Sequence, residues 1–207
     1  GDLVCTGGRY CYNPDTCSNG RFFPSSLRQS ILPENLDWTQ DTDLKQARGF
    51  HTSTLLPDGT ILTAGGTDGP NILSTSEIYD PAPKLWTYTG VMNHTRSLHT
   101  ATLLPNGTVL VAGGYTVGIS TIGATNTAEI YFPDSGKWMV TRSMNNARQD
   151  HTATLLSNGN VLVTGGYANG TYLNSAEVYD VINASWVFVK NMPYRRAQHT
   201  ATLLQDR

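Results

Sequence analysis

The chain has 207 residues, with 14 basic and 16 acidic side chains for a net charge of -2, and 39% of its residues are hydrophobic. That length allows one domain with a substantial core, while the balanced and scattered charge excludes the broad positive field that holds nucleic acid or an anionic membrane. No apolar run approaches the ~18 residues of a spanning helix and no signal peptide stands at the start, so membrane insertion is not expected.

Residues 1–36 read as an irregular N-terminal segment. They carry Gly7-Gly8, Asn13-Pro14-Asp15 and Pro24, and they show no sustained period of 2 or 3.6. All three cysteines, Cys5, Cys11 and Cys17, fall here. Their spacing fits neither a C-x-x-C zinc pair nor a redox motif, so disulfide bonding is expected, with at least one thiol left over or paired outside the chain. An extracellular or cell-surface setting follows as an expectation. Gly1 in place of Met points to a processed or excised piece. Asn93, Asn106, Asn169 and Asn183 open legal N-glycosylation sequons, a number barely above chance, with Asn169 and Asn93 better placed than Asn106.

From Trp38 onward the sequence repeats itself. His51, His99, His151 and His199 are spaced 48, 52 and 48 apart, and so are Arg48, Arg96, Arg148 and Arg196. Gly66, Gly114 and Gly166 follow the same phase, as do Tyr79, Tyr131 and Tyr179, and also Trp86, Trp138 and Trp186. The second repeat is longer by four residues, which places an insertion in the loop Tyr115 to Asn126. Within one repeat four short strands are predicted, near 51–56, 60–64, 76–80 and 85–89, rich in β-branched and aromatic residues and bounded by Gly and Pro turns. Asn106-Gly107 between apolar runs predicts a two-residue hairpin loop with both central residues at φ > 0.

A four-stranded antiparallel sheet recurring about every 50 residues is the signature of a propeller blade. Small or apolar residues leading into Gly-Gly, then a Tyr, then a Trp seven positions on, resemble the kelch repeat; Val163 through Gly165-Gly166, Tyr179 and Trp186 match it especially well. The resemblance implies an all-β propeller segment over 37–207, with blades about 51–90, 99–142 and 151–190 and extra strands near 37–41 and 199–204. Three blades do not close a ring, so an open arc is expected, completed by further blades of a longer chain or by another subunit.

The strand directions place the Arg, the His and the loops after Gly-Gly at one rim. By resemblance to kelch adaptors, Tyr115 and Tyr167 with Arg48, Arg96, Arg148 and Arg196 are candidate ligand contacts, for an acidic peptide or a glycan. The same arginines have an equally regular set of natural partners, Glu77, Glu129 and Glu177, and a buried Arg–Glu tie is the favoured role. The four His stand in separate blades and are expected to be hydrogen-bonded structural groups, with no metal and no cofactor. The expected function is non-catalytic binding of a protein or a glycan. The alternative is a piece of an enzyme similar to galactose oxidase; its copper-radical site would need a Tyr before one of the His and a Cys within the blades, whereas Phe50, Leu98, Asp150 and Gln198 precede the four His and no Cys follows Cys17.

Overall fold

A computed structural model describes residues 41–117 and 122–204. The N-terminal segment 1–36 with Cys5, Cys11 and Cys17, and nearly all of the strand expected near 37–41, lie outside the described residues.

The first blade is β1 (Thr52–Leu55), β2 (Ile61–Ala64), a small hairpin of β3 (Thr67–Asp68) and β4 (Asn71–Ile72), then β5 (Ser76–Asp80) and β6 (Leu85–Tyr88). The second has β7 (Thr100–Leu103), β8 (Val109–Ala112), β9 (Tyr115–Val117), β10 (Ile122–Ala124), β11 (Ala128–Phe132) and β12 (Lys137–Thr141). The third has β13 (Thr152–Leu155), β14 (Val161–Thr164), β15 (Tyr167–Ala168), β16 (Thr171–Tyr172), β17 (Ala176–Asp180) and β18 (Ser185–Val189). In each blade the four longer strands form one antiparallel sheet in the order first, second, third, fourth: β1-β2-β5-β6, β7-β8-β11-β12 and β13-β14-β17-β18. β1 lies beside β7 and β7 beside β13, so among the described residues the blades form an open arc with the first strand of each innermost.

The arc is held by two apolar layers. Between the first and second sheets lie Leu56, Leu62, Met92, Val109, Val111, Tyr131 and Trp138. Between the second and third lie their counterparts Leu104, Leu110, Met144, Val161, Val163, Tyr179 and Trp186. A fully buried aliphatic side chain gains about 1.5–3 kcal/mol over an exposed one, and a lone blade has nothing to bury these against. Trp138 and Trp186 tilt over Tyr131 and Tyr179 at centroid distances of 5.0 and 4.9 Å. Their indole N–H groups donate backward, to the carbonyls of Gly90 at 3.1 Å and Arg142 at 2.8 Å in the preceding blade. Trp86 does the same toward Thr42 at 3.1 Å. Each Trp is therefore both plate and tie.

Two expectations are corrected. The loop at Asn106-Gly107 has three residues, Pro105 to Gly107, and only Gly107 has positive φ (84°). The Leu104 N–H bonds the Thr108 carbonyl, and the Gly107 N–H bonds the Leu104 carbonyl. Pro105, with its φ locked negative, suits a type I turn followed by a left-handed Gly, but it does not dictate one, since Ser157-Asn158-Gly159 makes the same turn in the third blade with Gly159 at φ 85°. The Asn106 side chain completes the turn by accepting from the Thr108 N–H and hydroxyl. Second, 199–204 forms no strand, because a first strand gains its ladder from the second strand of its own hairpin and none pairs with it among the described residues.

Candidate functional site

Gly-Gly ends the second strand of every blade, and the next blade's opening loop passes directly over it. Gly65 and Gly66 have φ of 63° and 97°, and the Gly66 N–H donates to the carbonyl of Arg96 at 2.8 Å. A Cβ on Gly65 would stand 2.5 Å from that carbonyl oxygen and 2.9 Å from the His99 ring. Gly113 meets Arg148 and His151, and Gly165 meets Arg196 and His199, in the same way. The sequence needs Gly twice over here, for its φ and for its missing side chain.

The arginines turn their side chains into their own blades. Arg96 donates through Nη1 to the Gly113 carbonyl at 2.8 Å and the Thr127 carbonyl at 3.2 Å, and through Nη2 to Glu129 Oε1 at 2.8 Å. Glu129 also accepts from the backbone N–H of Asn93 at 2.7 Å and of His94 at 3.0 Å. Arg48–Glu77 and Arg148–Glu177 repeat the pair at 2.8 Å, and all six side chains have zero exposure. Burial works against the charge of Glu129, yet bonds from Asn93 and Arg96 outweigh it and hold the carboxyl below its ordinary range. Three of the four arginines expected at the rim are thus inside the sheets; Arg196 alone is exposed.

His99, His151 and His199 cross to the preceding blade. His99 Nε2 lies 2.9 Å from the Thr52 hydroxyl, His151 Nε2 3.0 Å from that of Thr100, and His199 Nε2 3.2 Å from that of Thr152. The Nδ1 atoms of all four, His51 included, are buried without a hydrogen-bond partner. Desolvation, then the neighbouring Arg148 charge, pushes His151 down to about 3. Burial likewise lowers His51, His99 and His199. These rings are neutral, one to a blade, and no group of three or more His, Cys, Asp or Glu among the described residues is arranged for a metal ion.

What the rim does present is the set of small hairpins β3–β4, β9–β10 and β15–β16. Each is pinned to the opening loop of its own blade by a backbone bridge, Gly49 to Thr67, Ser97 to Tyr115 and Gln149 to Tyr167. Tyr115 and Tyr167 are half-buried at their bases, and Tyr167 packs edge-on to Tyr172 at 5.2 Å. Val117, Ile122 and Tyr172 are exposed on them. The four extra residues of the second blade lie within its hairpin: β9 and β10 are each longer by a residue than the arms of β3–β4 and β15–β16, and two more residues fall between them. A hollow of about 260 Å³ opens beside that hairpin, lined by His94, Thr116, Thr125, Asn126 and Thr127. The reading of these segments as plain loops missed the hairpins, although Asn169-Gly170 carries the I′ signal: φ is 49° and 76°.

Of the sequon residues, Asn169 is exposed at that turn. Asn93 donates its amide to Glu129 at 2.9 Å and Asn183 to Asp180 at 2.7 Å.

The Kelch motif family model matches residues 151–193, which is the third blade. The chain is built of kelch repeats. Beta-scruin of Limulus polyphemus is 28% identical over 87 residues, 42% of this chain, and alpha-scruin of the same organism is 27% identical over 76 residues, 37% of this chain. The matched part spans 9% and 8% of those two relatives, so the kelch chain corresponds to a small portion of each.

Proposed function

We infer that this kelch segment is a non-catalytic protein-binding module whose contact surface is the rim made by β3–β4, β9–β10 and β15–β16. The observation that carries the reading is the division of labour within each repeat. The Gly-Gly, Arg, Glu, His, Tyr and Trp positions are spent on holding the blades and their opening loops together, while the hairpins differ in sequence from blade to blade, and β9–β10 and β15–β16 carry exposed apolar side chains on a rigid base. Kelch repeats in the scruin relatives support a module of this kind. The extracellular setting belongs to the same proposal and rests on Cys5, Cys11 and Cys17 alone.

The test replaces Ile122 and Tyr172 together by Ser and compares the proteins recovered on the wild-type and substituted chains from their native source. An anchor of this type is worth about 2 kcal/mol or more, so recovery of at least one partner is expected to fall roughly 30-fold while the melting temperature holds. Identical recoveries of every protein would remove the rim from consideration.

A further inference from the structure

The residue before each His stands in an unusual backbone state. Phe50, Leu98, Asp150 and Gln198 have φ of 54°, 55°, 54° and 54°, in the left-handed region that favours Gly, yet none is Gly. Their amides run as a chain across the blades: Leu98 N–H to the Phe50 carbonyl at 3.1 Å, Asp150 to Leu98 at 3.1 Å, Gln198 to Asp150 at 2.8 Å. These three N–H groups and their carbonyl acceptors are consumed by one another, so what distinguishes one position from the next is the side chain alone. The backbone state serves that amide chain in every blade, and it leaves the four side chains free to differ at one row. It lies at the inner end of the arc, where the first strands begin.

The side chains divide by chemistry. Phe50 is 60% exposed with the partly buried Leu98 beside it, forming an apolar sector. Asp150 carries the one charge of the row. Its carboxylate accepts from the amides of Gln149 at 3.1 Å and Gln198 at 3.5 Å, and among the described residues no cationic side chain lies within ion-pair distance of it. A carboxylate flanked by neutral amide donors and partly exposed is oriented but not neutralised.

We propose that this inner row is a binding site for a basic side chain of a protein partner, an arginine or lysine seated on Asp150, with a neighbouring apolar side chain of the same partner on Phe50 and Leu98. The row begins one residue past the bridges by which Gly49, Ser97 and Gln149 hold the hairpins, and it uses none of the exposed hairpin side chains assigned to the rim. Recognition here is by charge complementarity in a partly desolvated setting, so it should fade with salt.

The probe is a blocked leucine–arginine–leucine peptide, with the same peptide carrying citrulline in place of arginine as control, titrated into the whole chain and followed by amide NMR. Saturable shifts are expected at Leu98, Asp150 and Gln198, with the arginine peptide binding about 10-fold tighter than the citrulline one at low salt. Asp150→Asn keeps a residue that tolerates φ > 0 and is expected to erase that difference with the melting point unchanged. If that variant does not fold, the native chain at about 0.5 M salt serves instead, where the same difference should collapse. Equal affinity of the two peptides, or no saturation at about 5 mM, overturns the proposal. Shifts confined to β9–β10 and β15–β16 also overturn it while leaving the rim reading in place.

Discussion

At the scale of single residues the deciding group is the buried carboxylate. Glu177 is met by the Arg148 guanidinium at 2.8 Å, by the Asn145 backbone N–H and side-chain amide at 2.7 Å each, and by the Asn146 N–H at 3.0 Å. It therefore does more than neutralise an arginine, since it also fixes the loop that opens the blade. Removing the arginine strands a charge with no water to take its place, a loss on the order of 3–5 kcal/mol. Arg148→Ala is expected to cost that much in chemical denaturation, and Glu177→Gln to be comparably destabilising, because the Asn145 N–H bonds Oε2 and the Asn146 N–H bonds Oε1, so one amide oxygen keeps only one of them while the amide NH2 faces the other donors. Equal stability of Arg148→Ala and the parent chain would mean that the pair is dispensable. Arg196 is the counter-example: it is exposed, without a Glu partner among the described residues, and its truncation should be nearly silent.

At the scale of the element, the Gly-Gly corner shows what a sequence can and cannot disclose. The repeat period, the four strands of a blade and the pairing of Arg with Glu were legible because each is written in residue type at a fixed spacing. The depth of the arginines was not, because spacing puts a residue at a rim without saying which way its side chain turns. The three small hairpins were hidden for another reason: strands of two or three residues are too short to show a period, and among their turns Asn169-Gly170 is the pair with a type I′ signature. The turn at Asn106-Gly107 went the other way: it takes in the residue before the pair, as the proline-free Ser157-Asn158-Gly159 turn also does. The corner itself yields a sharp test. Gly113→Ala would put a methyl 2.5 Å from the Arg148 carbonyl and 2.8 Å from the His151 ring at φ of 63°, so a loss well above the ~1 kcal/mol of a merely strained φ is expected. Gly170→Ala has equally positive φ but open space around it, and should lose only about that 1 kcal/mol. Thermal melts of the two variants side by side separate crowding from backbone preference. Similar losses would show that the close passage of the next blade is not what Gly113 serves.

At the scale of the whole molecule, the His rings turn a stack of separate sheets into one acid-sensitive body. His99, His151 and His199 each reach the preceding blade through a Thr hydroxyl, and each keeps a buried Nδ1 without a partner. An unpartnered acceptor is tolerable in a neutral ring, whereas protonation would place an unpartnered N–H and a positive charge beside an arginine. The folded ring of His151 protonates only near pH 3, against about 6.5 in the unfolded chain. Between those values the unfolded state binds more protons, so the contribution is fully present above about pH 6.5 and is lost steadily as the pH falls toward 3. Glu129, also lowered, acts in the same direction below its ordinary range. One such His gives a slope approaching 1.4 kcal/mol per pH unit, and His51 and His99 add to it, so stability is expected to drop steeply from pH 6.5 to 5, before most carboxylates titrate. Denaturation at a series of pH values measures this slope, and His151→Gln should be less stable at pH 8 yet show a shallower fall. A flat profile between pH 8 and 5 would place the rings in contact with water, and the blades would then be joined by their apolar layers without the His–Thr links.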